Sequence, residues 1–227
     1  ILKDDVTGTD EEILEKTEAE AWVKETGAKV AQTELEVKDN GGYKAEVKDY
    51  EVVIKVKDAT ATADEVKAIA KVVDGDIIDE GDKYTLVASN IVMTLDEAKA
   101  MADNDELITK AKAEAWKLED LSKGNVKLES TTFKAAEGDY TATFYVDEEK
   151  DTKVTIKIKV IDKHVIENGD KYTIGANNLV MNVDQAKAIT DNNKLVELSK
   201  AVAVNRTDMS AGPVKLGPTD FKAAEGT

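Results

Sequence analysis

Residues Lys153–Val160 read KVTIKIKV. Val154, Ile156, Ile158 and Val160 alternate with Lys153, Thr155, Lys157 and Lys159, so four apolar side chains share one face of a strand and the polar set shares the other. A strand of this kind predicts a sheet buried on one side and solvated on the other. Just upstream, Tyr140, Ala142, Phe144 and Val146 alternate in the same way, and Asp147–Thr152 (DEEKDT) reads as a polar hairpin turn between the two. Val126 and Leu128, alternating with Lys127 and Glu129, add a further strand.

This hairpin closes a unit that recurs. Lys71–Gly138 (KVVDGDIIDEGDKYT…FKAAEG) returns at Lys159–Gly226 (KVIDKHVIENGDKYT…FKAAEG), with about half of the positions identical and no gap. Gly81-Asp82-Lys83-Tyr84-Thr85 reappears as Gly169-Asp170-Lys171-Tyr172-Thr173, and Phe133 as Phe221, an offset of 88 residues. A looser copy comes first: Trp22 matches Trp116 at an offset of 94. The expected division is three repeats, 1–74, 75–162 and 163–227, of which the middle one is complete. The first lacks a clear counterpart of the GDKYT strand. The third stops where the second continues with Tyr140, as a segment of a longer array would. Asp74 and Asp162 mark the junctions, where no Gly/Ser/Pro linker intervenes, so the array is expected to be stiff.

Within a repeat, Lys83–Thr94 (KYTLVASNIVMT) reads as a bent or broken strand pair around Ala88-Ser89-Asn90. Leu95–Lys99 follows as a short helix reaching about Met101, with Asp96 as its N-cap. A second helix carries Leu107, Ile108, Ala111, Ala115 and Leu118 on one face, repeated in the first copy by Ile13, Leu14, Thr17 and Ala21. Trp22 and Trp116 fall at the ends of these second helices, and Val204 stands there in the third copy, which favours packing over sugar stacking. The first copy closes on Val52, Ile54 and Val56, then Val66, Ala68, Ala70 and Val72. The second set also fits a helix (ADEVKAIAK), but its alignment with KVTIKIKV favours a strand. Each repeat is thus α+β, an antiparallel sheet with a helical insert.

The formal charge is −16, from 47 acidic and 31 basic residues. Such a balance repels nucleic acid and anionic membrane surfaces and keeps a repetitive chain soluble. No cysteine is present, which excludes disulfides, thiolate–zinc sites and cysteine nucleophiles together. No apolar run approaches the roughly 18 residues of a membrane span, so no membrane insertion is expected.

The closing stretch, Glu137–Val146 (EGDYTATFYV) followed by Thr152–Asp162 (TKVTIKIKVID), resembles the last two strands of bacterial immunoglobulin-like repeats. Tyr172–Lys187 (YTIGANNLVMNVDQAK) is similar to the opening of modules in large Gram-positive wall-anchored proteins. The resemblance covers most of each repeat, and its motifs are strand patterns without a catalytic signature. It implies immunoglobulin-like modules in an extracellular protein of the bacterial cell surface. The helical insert departs from a pure immunoglobulin sandwich, leaving open a sandwich with helices across one end or a helix-on-sheet module. The expected role is a non-catalytic stalk, with neighbouring repeats as partners and any host ligand bound elsewhere. An adhesive binding module and a self-assembling surface layer are the alternatives.

Candidate chemistry is sparse. Asp74, Asp76, Asp79, Glu80 and Asp82 (DGDIIDEGD) form the densest acidic cluster, and clustered carboxylates can take calcium. The spacing is not that of an EF-hand, and DKHVIENGD at the next junction loses two of the five carboxylates, so a solvated junction is the better reading. No cofactor is expected. His164, the single histidine, builds no triad or histidine metal site and reads as a surface residue. Asn90 and Asn178 occupy matching strands. A Lys–Asn crosslink would need an acid and a lysine on the buried face, where this pattern puts none, so a turn or strand-cap role is expected for them. Asn205-Arg206-Thr207 matches a glycosylation sequon, a short motif that is common by chance. Gly138 and Gly226 read as turn glycines at positive φ. No nucleotide-loop or nucleophile-elbow motif occurs, so an enzyme is not expected.

Overall fold

The computed structural model describes residues 1–57, 65–191 and 193–221. They belong to two compact units, Ile1–Ile78 and Asp79–Thr227, so the second and third repeats share one unit. Among the described residues the architecture is mostly antiparallel sheet, with short helices between strands.

In the first unit, α1 (Asp10–Lys16) starts at Thr9, whose side chain accepts the Glu12 amide. The Glu12 carboxylate reaches back to the Thr7 and Gly8 amides, so orphan N–H groups at the helix start are satisfied from both directions. Strands β1 (Leu35–Asp39), β2 (Lys48–Val56) and β3 (Glu65–Val72) form an antiparallel sheet in that order. Tyr50, Val52 and Ile54 alternate inward from β2 and pack with Ile13, Leu35, Tyr43, Ala70 and Val72. The ADEVKAIAK segment is a strand from Glu65 onward, paired residue by residue with β2 from Lys55↔Glu65 to Lys48↔Val72. Its burial is one-sided only at Ala70 and Val72; Val66 is 54% exposed, against the inward position expected for it.

The next elements are β4 (Ile77–Glu80), β5 (Tyr84–Ala88), β6 (Ile91–Thr94), α2 (Leu95–Ala100), α3 (Glu106–Lys110), β7 (Glu114–Lys117), β8 (Lys123–Gly124), β9 (Val126–Thr131), β10 (Gly138–Val146) and β11 (Glu149–Ile161). One sheet has the order β4-β5-β7-β8, the other β6-β11-β10-β9. Strand β5 lies over β10 and β11, a two-layer arrangement consistent with a β-sandwich, while α2 packs on β6 and β11 and α3 on β9. The KYTLVASNIVMT segment is indeed two strands, and they belong to different sheets. Strand β6 runs parallel to the end of β11, from Ile91↔Ile158 to Thr94↔Ile161.

Alternation in the closing hairpin is as the sequence requires. Val154, Ile156, Ile158 and Val160 are buried, as are Ala142, Phe144 and Val146, while Tyr140 is only partly covered. The hairpin turn is tighter than DEEKDT suggested: Asp147 and Glu148 make it, because Glu149 already pairs with Val146.

Two local expectations are corrected. The α2 N-cap is Thr94, not Asp96. Thr94 ends β6 in an extended conformation, its hydroxyl accepts the Glu97 amide, and the Glu97 carboxylate accepts the Thr94 amide, a complete capping box. The second helix stops at Lys110, and Ala115 and Trp116 lie on strand β7. The stop is at Lys112, which takes the left-handed conformation (φ 49°) and turns the chain back into the sheet. Glu18 (φ 48°) and Lys200 (φ 49°) do the same at the equivalent positions, so α1 also ends before Ala21.

The third repeat supplies β12 (Val165–Asn168), β13 (Tyr172–Ala176), α4 (Val183–Lys187), α5 (Lys194–Leu198), β14 (Val202–Asn205) and β15 (Ala211–Gly212), with sheet order β12-β13-β14-β15. Its α4 keeps the capping box with both members exchanged for amides, Asn182 and Gln185. Ile174 is 48% exposed where its counterpart Leu86 is fully buried, and Leu179–Asn182 forms no strand where β6 does.

The buried phase of β11 yields a direct test. Ile156→Ala is expected to cost about 2–5 kcal/mol in urea melts of the chain, and Lys157→Ala, on the exposed face, close to zero. Comparable losses from both would show that the strand is buried on the wrong face.

Candidate functional site

In the second repeat the GDKYT motif, Gly81–Thr85, is built around a carboxylate that the sequence pattern did not single out. Glu149, at the start of β11, accepts the backbone amides of Lys83 (3.1 Å) and Tyr84 (2.9 Å) and the hydroxyl of Thr152 (2.7 Å). It thereby ties the first residues of β5 to the first residues of β11. A side chain at Gly81 would come within 2.0 Å of the Thr152 hydroxyl and 2.7 Å of a Glu149 oxygen, so the approach admits only glycine. Donation by Thr152, then by the two amides, holds the Glu149 carboxyl below its ordinary range against the opposing effect of partial burial.

Of the acidic cluster, Asp79 is engaged in the same structure: it accepts the Lys153 amide at 2.7 Å. Among the described residues no three histidine, aspartate or glutamate side chains converge as ligands for a cation. His164 is exposed, and its backbone amide donates to Asn177 Oδ1. The tryptophans separate. Trp116 is 9% exposed, with the Lys123 ammonium 4.3 Å from its ring, whereas Trp22 is 57% exposed and does not pack as expected. Val204 is buried, as Trp116 is. Gly138 has positive φ (155°); Gly226 lies outside the described residues.

The two asparagines also separate. Asn178 is exposed, but Asn90 is buried and used on both sides of its carboxamide. Its Oδ1 accepts the Lys157 amide of β11 at 2.8 Å. Its Nδ2 donates to the carbonyls of Arg206 (2.9 Å) and Thr207 (3.1 Å), in the turn between β14 and β15 of the third repeat. Only one orientation of the amide satisfies a donor on one side and two acceptors on the other. The Lys157 side chain extends to the Asp208 carbonyl of the same turn at 3.4 Å. Asp208 and Met209 line a shallow groove with Tyr140, Thr141, Lys157 and Lys159. Asn90, in the connection between β5 and β6, thus bonds both β11 and the β14–β15 turn, more than the turn or strand-cap role expected for it. Asn205 of the sequon is itself committed, accepting the Thr207 amide at 3.0 Å.

No helix among the described residues is long and apolar enough to cross a membrane. Neither known protein families nor characterised proteins provide a match to this chain.

The Glu149 contacts set a pH dependence. Because its folded-state pKa is lowered, the stabilisation is complete above the ordinary glutamate value near 4.3 and is lost as pH falls through the folded-state value. Glu149→Gln is expected to lower stability by about 1–3 kcal/mol at pH 7, with the difference from the parent closing in acid. Urea midpoints measured from pH 7 downward check this; a gap that stays constant into acid would contradict the charged role of Glu149.

Proposed function

We propose that this chain is a non-catalytic structural segment, a stalk or spacer, of a bacterial extracellular cell-surface protein, and that its repeats are tandem immunoglobulin-like modules. The observation that carries this reading is the bonding between consecutive repeats. A buried side chain of the second repeat is spent on holding a turn of the third, which serves the geometry of an array and no reaction. The junction between β11 and β12 is only Asp162-Lys163-His164, too short to act as a flexible tether. The EGDYTATFYV and TKVTIKIKVID stretches lie almost wholly on β10 and β11, elements on which the resemblance to surface repeats rests. A net charge of −16 supports solubility at the high local density of a surface array. Neighbouring repeats are the partners this role requires.

The reading is tested on the bacterium that produces the protein. Antibodies raised against this chain are expected to label intact cells, and external protease is expected to remove the label without lysis. Labelling that appears only after lysis would overturn the surface assignment.

A further inference from the structure

We propose that the Asn90 carboxamide is a repeat-to-repeat latch: an interaction surface on one repeat whose partner is the hairpin turn of the next, recognised through backbone carbonyls. The inference concerns how repeats join and holds whether or not the protein lies at a cell surface.

One side of the latch lies in the second repeat. Asn90 is 6% exposed, and its Oδ1 is fixed by the Lys157 amide. That bond aims Nδ2 away from the strand, where its hydrogens meet the Arg206 and Thr207 carbonyls. A buried primary amide needs such acceptors, since leaving its N–H groups unpaired away from water is costly. The partner side is equally specific in shape. In the third repeat the Asn205 amide donates to Ser210 O (2.8 Å) and the Met209 amide to Asn205 O (2.9 Å). The second repeat reproduces both bonds with Lys117 to Ser122 O (2.8 Å) and Leu121 to Lys117 O (2.9 Å). The first reproduces them with Val23 to Ala28 O (2.8 Å) and Gly27 to Val23 O (2.8 Å).

All three turns also carry a left-handed residue at the same place, Gly27 (φ 68°), Leu121 (φ 57°) and Met209 (φ 64°). Leucine and methionine adopt that conformation at a cost of about 1–2 kcal/mol, so its retention without glycine points to a shape that is needed. In the later two repeats an aspartate locks it further. Asp120 accepts the amide and hydroxyl of Ser122, and Asp208 those of Ser210, holding both carboxyls below their ordinary range.

The side chains at the bonded carbonyls, Arg206 and Thr207, are unrelated to those at the equivalent positions, Leu118 and Glu119 in the second repeat and Lys24 and Glu25 in the first. The Arg206 guanidinium is itself turned to Gly169 O within its own repeat. Recognition by carbonyls alone makes the turns interchangeable, which a tandem array requires of its joints.

The test exploits the absence of cysteine. Spin labels at Lys150→Cys and Lys187→Cys, both exposed, report the distance between the second and third repeats, and hydrogen exchange reports the Lys157 amide. The parent chain is expected to give one narrow distance. Asn90→Asp keeps the acceptor for Lys157 but turns a carboxylate toward two carbonyls, so the distance distribution is expected to broaden while Lys157 stays protected. Asn90→Ala is expected to broaden it and also to speed Lys157 exchange roughly fivefold or more, as loss of one hydrogen bond implies. Thr207→Ala is expected to change neither. A distribution as narrow as the parent's in both Asn90 variants would overturn the latch. Loss of all structure in Asn90→Asp would do so too, because Asn90 would then serve the second repeat's own core.

Discussion

Strand β11 is the element on which the rest of the second unit depends. Its apolar face, Val154, Ile156, Ile158 and Val160, is buried along its whole length. One edge is paired with β10 and the end of the other with β6. What β6 does not reach is met by side chains: Asp79 takes the Lys153 amide and Asn90 the Lys157 amide. An open strand edge invites pairing with other chains, and here it is closed by a carboxylate and a carboxamide. Glu149 extends the same economy to the start of the strand by binding β5. The lysines on the outer face make cross-strand pairs, Lys159 with Asp139 and Lys153 with Glu129. Exposed pairs of this kind contribute little, so the buried face carries the energy.

That face was legible because its period survives in a strand covered on one side. The hairpin partner followed from the same rule, and the strand assignment of Glu65–Val72 from its alignment with β11, since its own pattern also fits a helix. Helix lengths were not legible, and the reason is local. Glu18, Lys112 and Lys200 end their helices in the left-handed conformation, where glycine or asparagine is the usual signal. With that stop hidden, Leu107, Ala111 and Ala115 look like one helical face, although Ala115 is buried as a strand residue. The cap at Thr94 was missed for a related reason. A strand ending directly in a helix leaves no loop to mark the boundary, and Asp96 is an equally good capping type by composition.

The connecting residues were harder still. Glu149 meets Lys83 and Tyr84, and Asn90 meets Arg206 and Thr207, across long stretches of chain that no periodicity links. The sequence carried only indirect traces of them: the repetition of Gly81 in GDKYT, whose need for glycine comes from Glu149 and Thr152, and the recurrence of Asn90 as Asn178.

Amide hydrogen exchange across the intact chain addresses the central role of β11 most directly. The amides of Val154 through Val160 are expected to be the slowest of the second unit, exchanging only with its global unfolding, while β12 and β13 of the third repeat open by smaller fluctuations. Exchange of the β11 amides at rates equal to or faster than those of β12 and β13 would contradict that role.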